Sequence, residues 1–101
     1  MVVRQYDKGI YLQVLVTEDG TNGVNISTAT TKQLILKPPR GAYIHRAADF
    51  STDGTDGLLR YLVVDELDGE AGPWRLYGKV IMPDGKNLRG YLTLTVEPAP
   101  E

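Results

Sequence analysis

The sequence predicts an all-β fold, an immunoglobulin-like β-sandwich of about seven antiparallel strands, with a small closed β-barrel as the alternative. Three observations predict it. Apolar residues recur at every second position, the spacing of side chains on one face of a strand. Turn-forming Asp-Gly, Asn-Gly and Gly-Pro pairs break the chain at intervals of roughly 8 to 14 residues. No window of about 12 residues shows helical spacing. A chain of 101 residues can cover the apolar faces of two small sheets only by stacking them on each other.

The elements follow in order. Ile10, Leu12, Val14 and Val16 share one face of a strand over 10–17. Glu18-Asp19-Gly20-Thr21-Asn22-Gly23 then supplies the pairs that tight reversals favour. Thr31 to Lys37 forms the next strand, Leu34 and Leu36 facing one way, and Pro38-Pro39 ends it because proline donates nothing to a ladder. Ala42 to Phe50 alternates less cleanly and reads as an edge strand. Asp53-Gly54-Thr55-Asp56-Gly57 is a dense turn that feeds Leu58 to Val64, with Leu59, Tyr61 and Val63 on one face. From Asp65 to Pro73 the chain is a loop pinned by Leu67, with room for one helical turn. Trp74 to Ile81 places Trp74, Leu76, Gly78 and Val80 together. Met82-Pro83-Asp84-Gly85-Lys86 favours a type I turn closed by a glycine bulge. Leu88, Gly90, Leu92, Leu94 and Val96 line one face of the last strand. The chain divides into an N-terminal arm at 1–8, the sandwich at 9–97 and a tail at 98–101, with no internal repeat or linker.

Eleven Lys and Arg against thirteen Asp and Glu give a net charge of −2. That balance offers no general attraction for nucleic-acid phosphates or anionic lipid. The absence of Cys excludes disulfides, thiolate nucleophiles and sulfur-ligated zinc or iron–sulfur sites. No apolar run approaches the roughly 20 residues of a membrane helix, and Met1-Val2-Val3-Arg4 lacks the layout of a signal peptide, so the chain is expected to be soluble and unprocessed.

Little in the sequence resembles catalytic machinery. His45 is the single histidine, and it reads as a partly exposed strand residue rather than as half of a nucleophilic site. The Asp49–Gly57 run spaces carboxylates like a calcium loop, but its twelfth position is Arg60 where a bidentate Glu is needed, and Asp and Gly serve turns for backbone reasons. Glu66, Asp68 and Glu70 read as solvated loop charge, since paired-carboxylate chemistry needs a cleft. No glycine cluster precedes a helix, which disfavours phosphate binding. The six tyrosines are expected mostly at core edges rather than on a ligand platform, and Trp74 is expected to cap the core. Asn25-Ile26-Ser27 matches a glycosylation acceptor without any other sign of secretion. No catalytic residue, cofactor or metal is expected.

The order of these signals carries a resemblance. Asp53-Gly54-Thr55-Asp56-Gly57 followed by Tyr61, a loop holding Leu67, then Ala71-Gly72-Pro73-Trp74 and Pro83-Asp84-Gly85, resembles the small immunoglobulin-like structural domains of tailed bacteriophages. It is similar to the N-terminal domain of phage baseplate upper proteins from about Gly9 to Val96. Pro39 stands where such domains often carry Asp, and the further domains of baseplate proteins are not expected here. The resemblance implies a non-enzymatic virion protein, assembled in the host cytoplasm, that decorates or joins subunits of the tail, baseplate, neck or capsid. The implied partners are other virion proteins and copies of itself, with no nucleic acid or membrane involved. A carbohydrate- or receptor-binding module is the alternative. Unpaired ends are the natural means of adding onto neighbours, which nominates Val2, Val3, Arg4, Tyr6, Pro98 and Pro100 as partner-binding residues. On that reading, removing Met1 to Tyr6 weakens assembly and leaves the fold intact.

Overall fold

The computed structural model describes residues 2–17 and 23–99. Among these residues eight strands form two sheets, one of five strands and one of three. They are β1 (Val2–Arg4), β2 (Tyr11–Leu15), β3 (Thr31–Lys37), β4 (Ile44–Ala47), β5 (Asp49–Phe50), β6 (Leu58–Leu62), β7 (Gly72–Ile81) and β8 (Asn87–Glu97). The larger sheet runs β1-β8-β7-β3-β4 and the smaller β2-β6-β5. Sheet β8-β7-β3-β4 facing β2-β6-β5 is the immunoglobulin-like arrangement, and the two sheets do not close into a barrel.

Alternation along the strands builds the core. Leu12 and Val14 of β2, Leu34 and Leu36 of β3, Leu59 of β6, Trp74, Leu76 and Val80 of β7, and Leu94 and Val96 of β8 all point between the sheets and are buried. Leu67 is fully buried from a single 3₁₀ turn at Glu66–Asp68, so it pins the loop as its sequence implied. Trp74 is also buried, and its indole Nε1 donates to the Glu70 carbonyl at 3.1 Å, satisfying the one polar atom of the ring. Gly78 and Gly90 lie opposite each other in the β7–β8 ladder. A Cβ on Gly90 would run into the Leu15 backbone carbonyl and the Val14 side chain. This pair of glycines therefore lets β2 approach the larger sheet. In the β7–β8 hairpin, Gly85 adopts φ +89° and the Met82 amide donates to Lys86, which closes the expected turn.

Two expectations are corrected, those for 42–50 and for 1–8. The segment over 42–50 is two strands in different sheets, with Ala48 buried between them where the chain crosses. The expected sandwich of about seven strands is found, with eight strands among the described residues and one parallel pairing, that of β1 with β8. Finally, the segment over 1–8 is not a free arm at Val2–Arg4. Val2, Val3 and Arg4 pair with Thr95, Val96 and Glu97, and Val3 is 7% exposed within the core. The apolar Val-Val pair gains more by burying one side chain and completing a sheet edge than by standing in water. Met1, the 18–22 part of the first reversal, Pro100 and Glu101 lie outside the described residues.

Candidate binding face on the five-stranded sheet

The same alternation that builds the core sets a second pattern on the outside of the larger sheet. Cross-strand register places Ile35, Tyr77 and Tyr91 in one row across β3, β7 and β8. The row on one side is Gln33, Lys79 and Arg89, and the row on the other is Lys37, Arg75 and Thr93. An aromatic row is thus flanked by cations on both sides. Tyr43, just before β4, leans on Tyr77 with ring centroids 6.4 Å apart, and Tyr77 meets Tyr91 at 5.3 Å. The rings are tilted by 55° and 51°, the geometry that aromatic pairs favour over a flat stack. Tyr43 and Tyr91 are 56% and 55% exposed, which is high for such large rings.

Two shallow grooves flank the Tyr43–Tyr77 contact. One, of about 410 Å³, lies between Ile35, His45, Lys79 and Arg89. The other, of about 320 Å³, lies between Lys37, Pro39, Pro73 and Arg75. The Lys37 ammonium donates to the carbonyls of Pro38 at 2.9 Å and Gly41 at 2.6 Å, which holds it near the Tyr43 ring. Among the described residues, Arg75, Lys79 and Arg89 belong to no ion pair; the two that form join Lys8 to Asp68 and Arg46 to Glu66. His45 lines the first groove as an exposed β4 residue.

A second polar cluster closes one end of the sandwich. Glu66 is 8% exposed, and its carboxylate accepts from the Val64 amide at 3.0 Å, the Tyr61 hydroxyl at 2.7 Å and Arg46 Nε at 3.0 Å. Burial pushes this carboxyl up, but the Val64 amide, the Tyr61 hydroxyl and the Arg46 guanidinium outweigh it and bring it down to about 2. The cluster fastens β4, β6 and the 3₁₀ turn together. All three of these donors belong to the protein itself, so the carboxylate acts as a tie between elements.

The Asp53–Gly57 turn is likewise self-contained. Asp53 Oδ1 accepts from the Thr55 amide at 3.0 Å and its hydroxyl at 2.6 Å, and Asp56 accepts from Leu58 N and Thr52 Oγ1. The Thr55 hydroxyl and amide hold Asp53 below the ordinary carboxylate range. Asn25 Oδ1 makes a similar short loop with Ser27.

Of the residues nominated from sequence, Val2, Val3 and Arg4 lie along the end of β8 opposite Thr95, Val96 and Glu97, which sets them beside Pro98 and away from the tyrosine face. Val2 is exposed on β1 and Val3 is core. The Arg4 amide donates to Asp7, and Tyr6 takes φ +69° with its amide on the Leu67 carbonyl. Pro98 is exposed beyond β8, and Pro100 lies outside the described residues. The tyrosine expectation also needs correction, because Tyr11, Tyr43 and Tyr91 face solvent rather than the core edge. The signal that finds the face is register. Alternation shows that Arg75, Tyr77 and Lys79 share a side, but only the pairing of β7 with β8 sets Arg89 and Tyr91 beside them. No protein-family model matches the chain, and no curated protein matches it.

Proposed function

We propose that the chain is a non-enzymatic binding module of a bacteriophage particle, an immunoglobulin-like decoration or adaptor domain that attaches to repeated subunits of the tail, baseplate, neck or capsid. The observation that carries the binding reading is the Tyr43–Tyr77–Tyr91 row, flanked by Arg75, Lys79 and Arg89, on an open sheet face. Tyr and Arg are the residues that dominate binding energy at protein interfaces. The phage setting, and the homo-oligomeric state within a particle, rest on the resemblance of the turn motifs from Asp53 to Gly85. Mass spectrometry of purified particles, with density for the subunit in place, tests this. Purified phage particles that lack the chain sink the reading.

Exposed Tyr43 and Tyr91 beside two grooves favour a second reading, a carbohydrate- or receptor-binding module. Glycan binding that is lost on Tyr43→Ala or Tyr91→Ala supports it over the first. The ring tilts of 55° and 51° weigh against it, because a pyranose stacks best on one flat surface.

A further inference from the structure

We propose that the outer face of the five-stranded sheet docks an acidic protein surface carried by a different subunit, an inference that rests on the binding-module reading above. Charge segregation argues for the acidic partner. Lys37, Arg75, Lys79 and Arg89 lie on this one face, and setting them aside leaves seven basic residues against thirteen acidic ones in the chain. A protein of net charge −2 thus presents a cationic, tyrosine-bearing face. Such a face steers toward acidic partners, and arginine forks match carboxylates in paired geometry.

The same charges exclude a second copy seated face to face. Arg75, Lys79 and Arg89 would then oppose their own counterparts, and like-charge contact is strongly disfavoured. A long nucleic acid fits less well than a protein. The tilted rings give no platform for successive bases, and the acidic remainder of the chain repels a uniform polyanion beyond the patch. On a protein partner, carboxylates can settle into the two grooves while an apolar group packs against the tyrosine ridge between them.

The test is an NMR titration of the folded chain with a short Glu- and Phe-containing peptide, with its Gln-for-Glu counterpart and with oligothymidylate. The expected result is shifts confined to β3, β7, β8 and Tyr43 with the acidic peptide, weakened by salt. Lys79→Glu combined with Arg89→Glu lowers that affinity by at least about tenfold and preserves the spectrum, since both side chains point outward. Arg75→Ala and Arg89→Ala repeat the test with a gentler change. Equal binding of the Gln peptide, shifts on another surface, no effect of charge reversal or tighter binding of oligothymidylate each overturns the proposal. None of these outcomes alters whether particles contain the chain, which decides the phage reading separately.

Discussion

Glu66 and Gly90 show how single residues hold this sandwich together. The Glu66 carboxyl titrates at about 2 in the folded protein, below its ordinary 4.5. Its contribution is therefore fully present above about pH 4.5 and fades as pH falls toward 2. The depression corresponds to about 3 kcal/mol. We expect Glu66→Gln to lower stability by that order at neutral pH, and the gap between variant and wild type to shrink in acid; urea unfolding across a pH series measures it. A constant gap contradicts the assignment. Gly90 tests packing rather than charge. Because a Cβ there meets the Leu15 carbonyl, Gly90→Ala should cost about 1–3 kcal/mol. Gly69→Ala, at φ −86° with nothing within 4 Å, should stay within about 0.5 kcal/mol in the same melts.

Among the elements, β1 departs most from expectation. Two valines and an arginine ahead of a Tyr-Asp-Lys-Gly turn carry too short a pattern to distinguish a strand from a tail. Its pairing with β8 is a long-range parallel contact that no local spacing reveals. By contrast, β3 falls at Thr31–Lys37 as its alternation and the Pro38-Pro39 stop dictate. The β7–β8 hairpin follows from Pro83-Asp84-Gly85. The segment over 42–50 misled because an extended chain continues on both sides of Ala48 while the sheet changes between them. Removing Met1 to Tyr6 now has a different expected outcome. Losing Val3 from the core and the edge strand from β8 should destabilise the fold by about 2 kcal/mol or more, read as a lower Tm. Val3→Asp should do the same without shortening the chain.

At the scale of the whole molecule, composition concealed what topology displays. A net charge of −2 argues against polyanion binding only if charge is spread evenly. Two antiparallel pairings instead collect Lys37, Arg75, Lys79 and Arg89 around three tyrosines on one side of a body 45 Å long and 23 by 21 Å across. The candidate site was thus half legible, in that each strand's outward residues could be read but their assembly into one face depended on strand order. The most direct measurement is density for this chain in an assembled particle, fine enough to see which side meets a neighbour. The account predicts Tyr77, Arg75 and Arg89 covered by an acidic surface of another subunit. A solvent-facing tyrosine ridge, with attachment through the three-stranded sheet or the chain ends, contradicts it.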